Sequence, residues 1–105
     1  GMGRHELALP LRQRVVELLP ESVGARKILV QDLFVLQKRA ETIPHLEFLA
    51  KAEPDVGLHR IMLAQVLNSQ GRFEEALRHA EAALELGEAA QSLVDQAREG
   101  MEGTR

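Results

Sequence analysis

The chain repeats itself every 34 residues, and that period limits the fold more than any other feature of the sequence. The segments "VVELLPESVGARKILVQDL", "LAKAEPDVGLHRIMLAQVL" and "AALELGEAAQSLVDQAREG" begin at Val15, Leu49 and Ala83. Aligned, they match Leu29 with Leu63 and Ala97, Leu33 with Leu67 and Met101, and Pro20 with Pro54 and Glu88. A fixed period of this length marks stacked supersecondary units, each too small to bury its apolar side alone. At 105 residues the chain has room for one such domain and no second core.

The units are helical. Ala, Leu, Glu, Gln and Arg dominate, and the aromatic residues are only Phe34, Phe48 and Phe73. No stretch alternates apolar and polar residues as a half-buried strand does, so the fold is expected to be all-α with about six helices. The first spans about 7–19, starting or breaking at Pro10. Ser22 caps the second, about 23–36, in which Asp32 falls among Ile28, Leu29, Leu33 and Leu36. A third covers about 40–52, with Pro44 tolerable only in its first turn. Asp55 is the expected start of the fourth, 56–69. Gly71 turns the chain into the fifth, 73–86, and Gly87 ends it through a left-handed backbone. The sixth covers 89–101.

The stretch "GRFEEALRHAEAALELG" puts Ala76, Ala80 and Ala83 where a core helix usually carries leucines. Small side chains at those positions allow a close helix crossing, here against Ala64 of the preceding helix, with Phe73 and Leu77 at the edges.

Signals of chemistry are sparse. His5-Glu6-Leu7-Ala8-Leu9 lacks the second histidine of a metalloprotease motif. No pair among His5, His45, His59 and His79 has ligand spacing on one helical turn; His59 and His79 can meet across one helix pair, but read as surface side chains, and no metal is expected. Ser22, Thr42, Ser69, Ser92 and Thr104 are explained by helix ends, turns and polar faces. There is no nucleophile elbow or phosphate-cradling glycine loop. The chain is therefore expected not to be an enzyme and to hold no cofactor. A sequence pI near 5.8 and isolated basic pairs argue against nucleic acid. No apolar run is long enough to span a membrane, and the absence of cysteine fits a cytoplasmic setting. Charge is uneven: residues 1–51 carry 8 Lys/Arg against 6 Asp/Glu, and residues 52–105 carry 5 against 10.

The segment "LHRIMLAQVLNSQGRFEEALRHAEAALEL" resembles a tetratricopeptide repeat, a pair of antiparallel helices, A and B. The resemblance rests on Leu63, Ala64 and Leu67 of helix A, Gly71 and Phe73 at the turn, and Ala76, Ala80 and Ala83 of helix B. Arg60 and Glu88 depart from it, standing where the family often has a large apolar residue and a proline. Unit 23–56 departs more, with Val30, Gln37, Arg39 and Thr42 at signature positions. The resemblance implies one domain over 4–101, with repeats at 23–56 and 57–90 and a capping helix at 89–101. Residues 1–3 and 102–105 are then tag remnant or flexible ends. The implied architecture is a right-handed superhelix of antiparallel helix pairs.

The resemblance also implies a scaffold whose A helices line a groove for an extended peptide or partner helix. Carried over residue by residue, that groove takes Lys27, Gln31 and Phe34, then Leu58, Ile61, Gln65 and Asn68. The set departs from the carboxylate clamp of chaperone-binding members. The alternative is a structural segment that self-associates or belongs to a longer array, because two repeats expose apolar end faces.

Overall fold

The computed structural model describes residues 2–103, and among them every regular element is helical. The helices are α1 (Met2–Leu18), α2 (Val23–Val35), α3 (Ile43–Ala52), α4 (Gly57–Ser69), α5 (Phe73–Glu85) and α6 (Gln91–Gly103), with a 3-10 turn at Arg39–Thr42. Gly1, Thr104 and Arg105 lie outside the described residues. The helices gather into two compact units, Gly1–Ala52 and Glu53–Arg105.

Three of the turns between successive helices, α2 to α3, α4 to α5 and α5 to α6, share one construction. At the end of α4, the amide of Arg72 donates to Leu67 O at 2.9 Å and that of Gly71 to Asn68 O at 3.1 Å. This crossed pair of bonds satisfies the last carbonyls and requires a left-handed residue, here Gly71 at φ 75°. Gly87, at φ 88°, closes α5 in the same way through Glu88 N to Ala83 O. Thirty-four residues before Gly71, Gln37 occupies the same turn at φ 59°, with Lys38 N bonded to Leu33 O at 2.8 Å.

In the second unit α4, α5 and α6 pack on one another. Ala64, Ala76, Ala80, Ala83, Ala90 and Ala97 are all fully buried. The alanines are thus contact points of close crossings, as the spacing predicts. Phe73 anchors α6: its ring lies so near Gly100 that a Cβ there would sit 2.3 Å from Phe73 Cε1.

In the first unit, Leu9 and Val16 of α1 pack against Ala25, Leu29 and Leu33 of α2. Beyond α2, Thr42, Ile43, Leu46, Leu49 and Ala50 are buried. Ser22 caps α2 as expected, its hydroxyl accepting from Ala25 N at 3.1 Å.

Four boundaries differ from the sequence expectation. Helix α1 starts at Met2 and runs through Pro10 instead of starting or breaking there. Proline deprives the Glu6 carbonyl of its intrahelical donor, but both residues are exposed to solvent, and Leu9 and Val16 hold the two halves on α2. The third helix begins as a 3-10 turn, in which the buried Thr42 hydroxyl donates to Arg39 O at 2.6 Å. Asp55 does not cap α4. The cap residue is Val56, with no side-chain bond, and the turn is held by Val56 N to Glu53 O at 3.1 Å and by His59 on the Glu53 carboxylate at 2.8 Å. Finally, α6 begins at Gln91 and includes Glu102 and Gly103, two residues expected to fray.

Candidate partner-binding faces

The seven residues expected to line a groove fall into two sets, one in each unit. On α2, Lys27, Gln31 and Phe34 follow one another at helical spacing and share a side. Lys27 and Gln31 are exposed, while Phe34 is half-buried with the Arg39 guanidinium 6.0 Å from its ring centre. Gln31 matches Gln65 of α4 after one repeat, and both are exposed.

On α4 the set divides. Leu58 is 56% exposed. Ile61 packs against the cluster of Ala64, Ala80, Ala83, Ala90, Leu93 and Val94. Gln65 remains exposed and, with Asn68, Ser69, Phe73 and Gln96, lines a cavity of about 250 Å³. Asn68 is already committed within the unit: its amide nitrogen donates to Leu93 O at 3.2 Å, and so ties α4 to α6. Its amide oxygen is buried without a partner beside the same cavity.

Ionic contacts that local sequence patterns did not reveal hold the helix pairs. Asp32 is 2% exposed, with Arg12 Nε 2.6 Å from one carboxylate oxygen and His5 Nδ1 2.6 Å from the other. A carboxylate buried this deeply is stable only when paired. It therefore fixes α1 on α2 from three residues that are far apart in sequence. The signal available was an aspartate in the middle of an apolar helical stripe.

The second missed feature obeys the repeat. Arg26 Nη1 lies 3.1 Å from His45 Nδ1, and Arg60 Nη1 lies 2.9 Å from His79 Nδ1. The two pairs are related by the 34-residue period at both ends. Arginine can only donate, so each Nδ1 accepts and each imidazole is neutral with its proton on Nε2. Burial, and then the neighbouring arginine, hold both imidazoles below the ordinary histidine pKa; at His79, Arg78 adds to this and Glu75 opposes it. Arg26 also covers Phe48 at 4.1 Å and donates to Pro20 O at 3.1 Å. Arg60 thus replaces the large apolar residue of the repeat signature by a pairing that its counterpart in the first unit also makes.

The expectation of surface histidines is corrected accordingly. His59 is 5% exposed and bonded to Glu53, and His79 is half-buried against Arg60. Ser69 donates to Val66 O at 2.6 Å, a local helix-end bond like those of Ser22 and Thr42, while Thr104 lies outside the described residues. Among the described residues there is no group of three or more His, Cys, Asp or Glu able to hold a metal ion, and no helix long and apolar enough to cross a membrane.

No family model and no curated protein matches the chain. Solved structures do. One described as MamA MSR-1 C2 is 23% identical, with a TM-score of 0.72 over 98% of this chain and 71% of that one. Another, described as MamA RS-1 ArsTM double mutant, is 15% identical with a TM-score of 0.69; the match covers 95% of this chain and 66% of that chain's length. At these identities the likeness is one of fold, and the fold it shows is an all-α, tetratricopeptide-like helical repeat.

Proposed function

We propose that the chain is a non-enzymatic protein-interaction module that takes a peptide or partner helix on the exposed side of the first helix of a repeat, α2 in the first unit and α4 in the second. One observation carries this reading. Gln31 and Gln65, one repeat apart, are both exposed on those sides, and helical periodicity puts Phe34 one turn after Gln31 and Leu58 two turns before Gln65 on the same sides. A side-chain amide both donates and accepts, as a peptide backbone demands, and adjacent apolar groups hold side chains. Lys27 adds a cation at the position one turn before Gln31. In this reading the chain carries no catalytic group and no cofactor.

The test uses Gln31→Ala with Gln65→Ala, because both side chains are exposed and their loss leaves the packing intact. Proteins captured from the source cells by the tagged chain are identified, and the strongest is titrated against the wild-type and double-variant chains. Affinity should fall by about tenfold, an effect of ~1.4 kcal/mol, with an unchanged melting temperature. Equal affinity removes these sides from the interface. Asn68→Ala is a poorer probe, since it also breaks the bond to Leu93 O.

A further inference from the structure

Helix α1 is apolar on two opposite sides. Inward, Leu9 and Val16 join the core, and His5 and Arg12 reach Asp32. Outward, Leu7, Leu11, Val15 and Leu18 recur at helical spacing and are 80%, 70%, 43% and 62% exposed. A contiguous apolar surface on a folded domain marks a contact site. Beside this outer side, α1 and α2 form a cleft of about 290 Å³ lined by Ala8, Leu11, Arg12, Val15, Ala25 and Ile28.

The repeat says what such a cleft receives. Two periods later, those six positions are Ala76, His79, Ala80, Ala83, Leu93 and Gln96, on α5 and α6. There Ala76, Ala80 and Ala83 are fully buried and Leu93 is 8% exposed, because α4 lies across them. Ala64 and Ile61 enter the alanine cluster, Arg60 reaches His79, and Asn68 binds Leu93 O. In the second unit the cleft between a B helix and the next A helix is therefore filled by an A helix, whereas its counterpart in the first unit is open.

We propose that the α1–α2 cleft of the first unit seats an amphipathic, acidic helix of another protein, in the role that α4 plays in the second unit. The occupant presents a small residue where α4 has Ala64 and an apolar one where it has Ile61. Its charge follows from the differences between the two clefts. Leu11 replaces the His79 acceptor, so an arginine equivalent to Arg60 would find no acceptor there. On the cleft side of α1 the charged residues are Arg4 and Arg12, with Glu6 and Glu17 placed by helical periodicity on the far side. Arg12 is ion-paired with Asp32 through Nε and keeps its side chain 41% exposed. A carboxylate on the incoming helix meets this basic rim, in a unit with 8 Lys/Arg against 6 Asp/Glu. This surface is distinct from the glutamine-bearing sides of α2 and α4, and its test is independent of theirs.

The probe is a synthetic peptide with the sequence of residues 56–70 carrying Arg60→Glu, stapled on its solvent side so that it is helical before it binds. It is titrated by fluorescence anisotropy into the 105-residue chain, and backbone amide shifts locate it. Saturable binding is expected, with shifts confined to α1 and α2. Affinity should weaken about tenfold for Leu11→Glu and for Ile28→Glu, fall with salt, and be lower for the parent peptide that keeps Arg60. Leu11 is exposed, so the variant's melting temperature should match the wild type; Ile28→Glu supplies the same test from α2. Absence of saturable binding overturns the proposal, and so do shifts centred on α4–α6. A chain that sediments as a dimer and is dissociated by Leu11→Glu also overturns it, because a second copy would then be the occupant.

Discussion

Gln37 holds a conformation that its side chain disfavours. Its φ of 59° is the one that Gly71 adopts at 75° in the equivalent turn, and the crossed bonds of Lys38 and Gln37 to Leu33 O and Phe34 O demand it. For a residue with a Cβ the left-handed region costs about 1–2 kcal/mol, whereas glycine enters it freely at some cost in unfolded-chain entropy. Gln37→Gly should therefore stabilise the chain by up to ~1 kcal/mol, read as a rise in the urea midpoint without a change in slope. The reverse change at the second turn, Gly71→Gln, should cost a similar amount. A Gln37→Gly midpoint below that of wild type would show that Gln37 makes a compensating contact in the folded chain.

The helix pairs are also where acid should act. His45 and His79 each face an arginine across their pair and are held neutral, with pKa values below the ordinary 6.5 because of burial and then the cation. The unfolded chain takes up these two protons first on acidification. Their effect is absent well above pH 6.5, and stability is lost as the pH falls from 6.5 towards the lower folded values. Melting temperatures measured from about pH 7.5 down to about 5.5 should fall more steeply for wild type than for His45→Gln with His79→Gln. Parallel curves would mean that neither pair senses acid. The same elements show what the sequence could disclose. Helix ends at Ser22, Gly71 and Gly87, and the close crossing at Ala76, Ala80 and Ala83, follow from local chemistry and were legible. Val56 as the α4 cap was not, because Glu53 and His59 hold that turn through a side-chain bond. The Asp32 cluster escaped because its charges are satisfied from 27 and 20 residues away, beyond any helical period. Arg26–His45 and Arg60–His79 do carry a signal, the 34-residue period itself, but at polar positions outside its apolar pattern. Of the residues that the resemblance assigns to a groove, Gln31 and Gln65 are exposed, while Asn68 is engaged with α6 for a reason that only the tertiary contact reveals.

At the scale of the molecule the two units differ in how completely their helices are covered. In the second, α4 and α6 both pack on α5, and the contact positions of α5 are fully buried alanines. In the first, α1 carries the apolar outer stripe of Leu7, Leu11, Val15 and Leu18 and contains a proline. Local opening follows the lack of buried contacts, so protection from hydrogen exchange should be graded across the chain. The amides at the centre of α5 should exchange last. Those of α1 should exchange about a hundredfold faster or more, a gap of ~2.7 kcal/mol in opening free energy. Adding the acidic helical peptide should slow α1 and α2 and leave α5 unchanged, because a ligand stabilises only the structure that it binds. If α1 alone in solution is as protected as α5, its outer leucines are covered without the peptide, and the cleft beside them is no docking site.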